Sequence, residues 1–175
     1  MRKNLLILVL IIVTFLLQST LRVIIPGQYA LPNLLMILTC SFGLMRGQRA
    51  GMLTGFLAGL LYDLFSGSLF GLTALCLLYA GYVNGLLYKV FFDTDIRIPM
   101  AAAGISDLAY NLILFFVWAA MHRHIGFGVF LTGTILPEVI ATILCTIPLY
   151  PVYRLINKRI AAYEAEAEQS PWLRR

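Results

Sequence analysis

Residues 51–63 read GMLTGFLAGLLYD, with glycine at positions 51, 55 and 59 and aspartate at position 63. Residues four apart lie nearly above one another on an α-helix, so Gly51, Gly55 and Gly59 predict one bare groove. The same ridge ends at the carboxylate of Asp63. In water each helical glycine costs about 1 kcal/mol relative to alanine, whereas in lipid small residues at this spacing let a second backbone approach closely. The stretch therefore predicts a membrane helix that packs tightly against another helix.

The composition of the whole chain supports a membrane location. Of its 175 residues, 61% are hydrophobic and 12% are charged, and the mean hydropathy is +0.88. Because a membrane span needs about 20 apolar residues, this length accommodates about six helices joined by short loops. We expect an all-α, polytopic bundle of six transmembrane helices in residues 1–159 and a short cytoplasmic tail in residues 160–175. The apolar runs cover roughly residues 4–25, 31–45, 50–65, 70–90, 98–121 and 127–153.

The basic residues indicate the orientation of these spans. With a cytoplasmic N-terminus, only Arg22 and Arg123 of the 13 lysines and arginines fall on the outer side. The positive-inside rule therefore places both termini in the cytoplasm. Because the basic residues punctuate apolar runs, the net charge of +5 predicts topology and no nucleic-acid partner. The tail is expected to extend the last helix and to end before Ser170-Pro171.

The second and third apolar runs are short for membrane spans. About 15 residues of helix reach only about 22 Å, against about 30 Å of hydrocarbon. Local thinning of the bilayer or burial inside the bundle would accommodate them. A re-entrant pair is the alternative.

Polar side chains within the apolar runs form a second candidate feature, because each is costly in lipid. They are Gln18, Arg22, Asn84, Asp107, Asn111, Glu138 and Thr142. The expected outcome is an interior joined by interhelical hydrogen bonds, each contributing about 0.6 kcal/mol. For Asp107 and Glu138 a proton or substrate path is the alternative. Pro137 frees a backbone carbonyl in the preceding turn, which is expected either in a kink of the last span or in a binding site.

Two contacts follow from these placements as hypotheses. Arg22 and Asp63 both fall near the outer ends of their helices, which suggests an ion pair. Gly81 and Gly85 form a second close-packing pair in the fourth run. The glycine groove therefore accepts either this fourth helix or the helix of a partner protein.

Sequence motifs for catalysis are missing. The chain has no Gly-x-Ser-x-Gly elbow, no His-Glu-x-x-His pair and no phosphate-binding loop. Its only histidines, His122 and His124, are expected to be interfacial, and the three cysteines lie apart within apolar runs. We therefore expect a protein that is not an enzyme and that binds no cofactor and no metal.

Several short motifs in the first half of the chain share a recognisable order. They are Leu31-Pro32-Asn33-Leu34-Leu35, Leu44-Met45-Arg46-Gly47, Gly51 to Gly55-Phe56, Gly59-Leu60-Leu61-Tyr62-Asp63, Gly67, Gly71 and Tyr79-Ala80-Gly81-Tyr82. In these motifs the chain resembles the bacterial rod shape-determining MreD family. The resemblance is concentrated in residues 31–85, and the last two spans match in hydropathy and length. One departure is Asn33, where the family often has an acid after the proline.

The resemblance implies a non-enzymatic, multi-pass component of the bacterial cytoplasmic membrane that maintains cell shape. The partners that it implies are MreC, the actin-like MreB, and the elongation-specific transpeptidase and glycosyltransferase of side-wall peptidoglycan synthesis. We also expect the chain to be surrounded by membrane lipid. The family's helical arrangement is also similar to the substrate-binding subunits of energy-coupling-factor vitamin transporters, which gives the alternative function. For a ligand pocket of that kind, Arg22 and Asp63 are the main polar candidates near the outer surface.

Overall fold

The computed structural model describes residues 2–24, 31–66, 69–89, 96–121 and 127–169. Gly67 of the family motif and both histidines lie outside these ranges. Within them the regular structure is entirely helical. The α-helices are α1 (Arg2–Ile24), α2 (Leu34–Arg46), α3 (Gln48–Ser66), α4 (Leu72–Leu86), α5 (Arg97–Met121), α6 (Phe127–Phe130) and α7 (Leu136–Gln169). A 3₁₀ turn, Leu87–Lys89, follows α4, and a π-helical turn, Leu131–Ile135, joins α6 to α7.

Helix α2 is the centre of the molecule. It contacts α1, α3, α4, α5 and α7, and every residue from Leu34 to Leu44 is buried. At about 20 Å it is too short to cross the hydrocarbon alone. Its apolar residues therefore pack against protein and not against lipid, which is the burial inside the bundle that the sequence offered as one explanation.

The ends of α2 differ from the sequence-based run 31–45. The helix begins three residues later, because the Asn33 side chain caps it by accepting a hydrogen bond from Met36 N at 3.2 Å. At the other end Gly47 adopts φ of +84° and its N–H donates to Gly43 O. Only glycine adopts this conformation without strain, so Gly47 ends α2 and lets α3 begin at the next residue.

The last helix contains the irregularity that Pro137 predicts. Leu136 N–H donates to Leu131 O, five residues back, so the turn before Pro137 is π-helical. A proline has no N–H to donate to the carbonyl four residues back, and its ring clashes with that carbonyl. The wider π-helical turn relieves this clash. Beyond this turn α7 continues to Gln169, and the predicted end of the helix before Ser170-Pro171 lies at the limit of the described residues.

Three helical segments among the described residues are long and apolar enough to cross a membrane. They are Leu5–Ile24, Arg97–Met121 and the continuous segment Phe127–Ala162, whereas α2 and α4 are shorter apolar helices. Large apolar side chains are exposed on the outer helices, such as Leu16 at 55% and Ile105 at 68%. The molecule is thus a mostly helical protein of the membrane type, with long helices that expose apolar side chains packed around the buried α2.

Candidate functional site

The glycine groove on α3 is filled by α4. A Cβ atom on Gly55 would lie 2.7 Å from the carbonyl carbon of Leu77 and 2.8 Å from Cγ2 of Thr39, and one on Gly59 would lie 2.7 Å from Ala74 N. These distances are too short for a side chain, so the backbones of α3 and α4 touch directly.

The second glycine pair completes this contact. Gly81 faces Gly51, and a Cβ atom on Gly81 would lie 3.0 Å from Met52 N. Gly85 lies against Gln48 and Gly47 at the start of α3, and a Cβ atom on it would lie 2.8 Å from the carbonyl carbon of Gly47. The sequence allowed either the fourth helix or a partner's helix to fill the groove, and in the structure the chain's own α4 fills it.

Asp63 caps the N-terminus of α4. Its Oδ2 accepts hydrogen bonds from Gly71 N at 2.9 Å and Ala74 N at 3.1 Å. Gly71, at φ of +91°, supplies no side-chain cap itself. A carboxylate at a helix N-terminus satisfies free N–H groups and interacts favourably with the helix dipole. The last residue of the groove therefore closes the α3–α4 hairpin.

Arg22 forms a different contact from the one expected. It donates from Nη1 to the hydroxyl of Tyr62 at 2.8 Å, and its guanidinium lies 5.5 Å from the centre of the Tyr62 ring. Asp63 makes its hydrogen bonds to α4, so the Arg22–Asp63 ion pair does not form. The residue before the acid, which the sequence did not single out, is the partner of Arg22.

A buried polar cluster joins α2 to α5 and α7. Asp107 accepts from Asn33 Nδ2 at 3.1 Å on one oxygen and from the Thr142 hydroxyl at 2.8 Å on the other. The Thr142 hydroxyl also accepts from Asn33 N at 3.0 Å. Asp107 and Thr142 are fully buried. The three side chains satisfy one another, as expected for a hydrogen-bonded polar interior.

Asn33 thus has two roles, because its oxygen caps α2 and its nitrogen binds Asp107. An amide supplies both an acceptor and donors, whereas an ionised acid only accepts. Asparagine at position 33, where the family often has an acid, therefore fits its surroundings in this chain, because its neighbour is the carboxylate of Asp107.

The other polar residues singled out in the sequence also form hydrogen bonds, either beside this cluster or between α4 and α5. Gln18 Oε1 accepts from Leu35 N at 3.1 Å, which satisfies another N–H at the start of α2. Asn111 Nδ2 donates to the backbone oxygen of Asp107 at 3.1 Å. Asn84 Nδ2 links α4 to α5 through Ser106 Oγ at 2.9 Å. Ser106 was missed by the sequence analysis, since a lone serine in an apolar run carries no distinctive signal.

The family-motif residues mark helix ends. Pro32 and Asn33 precede α2, Arg46 and Gly47 end it, and Gly71 precedes α4. Arg46 also donates from Nε to Asn157 Oδ1 of α7.

A cavity of about 360 Å³ lies between α1, the start of α2, α5 and the π-helical turn. Its polar lining consists of Gln18, Arg22, Asn33, Tyr62, Thr73, Tyr110, Asn111, Thr134 and Glu138. Asp63 is absent from this lining, since it is bound to α4. Arg22 therefore lines a cavity together with polar side chains of other helices, a grouping that the sequence analysis did not predict.

The described part of the chain contains no group of three His, Cys, Asp or Glu side chains placed to hold a metal ion. Comparison with known families gives a clear result, since the family model described as rod shape-determining protein MreD matches residues 1–160. The chain belongs to the MreD family. Searches among curated proteins and among solved structures returned no match.

Membership of the MreD family carries coarse functional information. The family implies a role in rod shape determination, it consists of membrane proteins, and it is associated in general with the MreC and MreB shape machinery. Its members are generally not enzymes. Three helical segments of this MreD-family protein are long and apolar enough to cross a membrane, which agrees with a membrane location.

Proposed function

We propose that the chain is a non-enzymatic scaffold of the elongation complex in the bacterial cytoplasmic membrane. In this role it couples MreB and MreC to side-wall peptidoglycan synthesis and so maintains cell shape. The observation that carries the proposal is the family match over residues 1–160. The proposed partners are MreC, MreB, and the elongation-specific transpeptidase and glycosyltransferase.

The packing of the molecule supports contacts through its outer surface. Because α4 fills the glycine groove, that groove is unavailable to a partner helix. Helices α1 and α5 instead expose large apolar side chains along their length, including Leu5 at 61% and Phe116 at 67%. In lipid, surfaces of this kind associate with other helices through packing and local polar contacts. We propose that the partners bind on these outer faces.

The proposed topology has six membrane-embedded helical segments with both termini in the cytoplasm. The distribution of lysine and arginine supports it. A vitamin-transporter subunit is the weaker alternative, because the family match favours shape determination.

Copurification from native membranes in mild detergent tests the proposal. The tagged full-length chain is expected to recover MreC well above the amount recovered by an unrelated tagged polytopic protein of similar abundance. Recovery of paired ATPases without MreC would contradict the scaffold role. So would recovery of neither, provided that the solubilised chain remains folded and monodisperse.

A further inference from the structure

The cavity of about 360 Å³, the larger of two adjoining cavities near Arg22, is lined by a basic and an acidic side chain that form no salt bridge with each other. Arg22 on α1 and Glu138 on α7 both line it. In the described part of the chain, Arg22 donates to the Tyr62 hydroxyl and Glu138 is bound by the Asn111 side chain. Because the Arg22 guanidinium and the Glu138 carboxyl group line one cavity without forming a salt bridge, they suit a ligand that carries both a negative and a positive group.

The guanidinium end of the cavity fits an oxyanion. Tyr62 holds Arg22 by a hydrogen bond and by its ring face, which uses one of the five N–H donors of the guanidinium. A fixed, planar guanidinium binds phosphate or carboxylate through two parallel hydrogen bonds. This end therefore suits the anionic group of the ligand.

The other end fits a primary ammonium group. The Glu138 carboxylate is half-buried, and the buried Asn111 holds it in place. A primary ammonium donates hydrogen bonds to a carboxylate, whereas a quaternary ammonium has no N–H to donate. The volume of about 360 Å³ corresponds to roughly a dozen waters, at about 30 Å³ each, and so accommodates a small polar headgroup.

A second cavity of about 230 Å³ adjoins the first at Gln18, Arg22 and Tyr62. Its remaining lining, between α1 and α3, consists of the apolar Phe15, Val23 and Phe65 together with Ser19 and Ser66. A lipid whose phosphate lies at Arg22 can place its headgroup in the large cavity and its glycerol and upper acyl carbons in the small one. This adjoining apolar space favours a phospholipid over a freely soluble molecule.

We infer that the paired cavities bind a zwitterionic aminophospholipid, with the phosphate at Arg22 and the primary ammonium at Glu138. This binding site is independent of the proposed scaffold role, because it depends on the cavity and its charges and not on MreC or MreB.

Lipid retention by the purified full-length chain tests the inference. The probes are phosphatidylethanolamine, phosphatidylcholine and phosphatidylglycerol with matched acyl chains, each titrated into detergent-solubilised protein and measured by native mass spectrometry. The wild type is expected to retain phosphatidylethanolamine at least about tenfold more tightly than the other two, since they lack a primary ammonium. Equal retention of all three lipids by the wild type would overturn the inference without any variant.

Two variants separate the ends of the site. Glu138→Gln is expected to lower the preference for phosphatidylethanolamine over phosphatidylglycerol to near one, while phosphate binding persists. Arg22→Gln is expected to weaken retention of both lipids about tenfold. Arg49→Gln is the matched control, because Arg49 is exposed at the start of α3 and lines neither cavity. If a folded Glu138→Gln variant keeps the full preference, the inference is wrong.

Soluble phosphoethanolamine distinguishes the source of the headgroup. Displacement of bound phosphatidylethanolamine at millimolar concentration would assign the site to the headgroup alone, so that a free zwitterion also occupies it. Failure to displace it would show that the acyl region in the second cavity contributes to binding. These two results identify the source of the headgroup, while the comparison of the three lipids and the Glu138→Gln variant test whether the zwitterion is recognised.

Discussion

Asp63 shows how one side chain can replace a cap that the local sequence lacks. Gly71 has no side chain with which to bind the first N–H groups of α4, and Asp63 supplies both bonds from the preceding helix. Its other oxygen, Oδ1, is buried without a hydrogen-bond partner in the described structure. The carboxylate is therefore committed to the hairpin and not to Arg22.

A double-mutant cycle tests this assignment. Asp63→Ala is expected to reduce the free energy of unfolding by about 1–2 kcal/mol, because two N–H groups of α4 lose their acceptor. In combination with Arg22→Gln the effects are expected to add within about 0.5 kcal/mol, since the two residues share no partner. Reversible unfolding in mixed micelles measures both quantities. A coupling energy well above about 0.5 kcal/mol would instead support a direct interaction between Arg22 and Asp63.

Thr142 provides a second test at the residue scale. Thr142→Val keeps the shape but leaves Asp107 Oδ2 without a donor and Asn33 N without an acceptor, while Asn33 Nδ2 still donates to Asp107 Oδ1; the expected cost is about 1–3 kcal/mol. Thr146→Val, one turn further along α7, is the matched control. Thr146 is equally buried, but its hydroxyl donates only to Thr142 O in its own helix. The same unfolding assay should show a clearly smaller loss for the control, and equal losses would argue against the cluster.

At the scale of elements, the α3–α4 hairpin depends on direct backbone contact. The glycines of both helices occur where the partner backbone is closest, so the two helices approach without intervening side chains. The sequence predicts this contact because small residues at four-residue spacing are readable from the pattern alone. It does not predict that Asp63 binds α4, because that bond depends on how the chain returns after α3.

Replacement of Gly55 by alanine measures the importance of this contact. The new Cβ atom overlaps the Leu77 backbone, so we expect the hairpin to open and the free energy of unfolding to fall by about 1–3 kcal/mol. Gly128→Ala is the control, because a Cβ atom there meets nothing within 4 Å. Alanine at that position should be neutral or slightly stabilising. Membrane insertion should be normal in both variants, and wild-type stability of Gly55→Ala would contradict the packing.

At the scale of the whole molecule, the fold is partly readable from the sequence. The long apolar runs predict α1, α5 and the helix after residue 127, because a run of this length has few alternatives in a membrane. The sequence does not reveal that α2 is surrounded by protein. Leucine and isoleucine bury equally well against lipid or against other helices, so composition alone does not separate the two environments. The cavity is likewise unpredictable, since Arg22, Asn111 and Glu138 line the same space only after α1, α5 and α7 have packed.

The orientation in the membrane is a further prediction at this scale. In a cysteine-free background, a single cysteine at position 123 is expected to react with a membrane-impermeant thiol reagent in intact cells. A cysteine at position 93 should react only after the membrane is permeabilised, because the positive-inside rule places that loop in the cytoplasm. The opposite pattern of labelling would reverse the topology.

Depletion in the native bacterium tests whether this MreD-family protein maintains rod shape. Cell length and width are measured by microscopy as the protein falls below detection on an immunoblot. We expect the rods to widen and round up, and the wild-type chain supplied in trans to restore their aspect ratio. Cells that remain rods of normal width through several generations of depletion would contradict it.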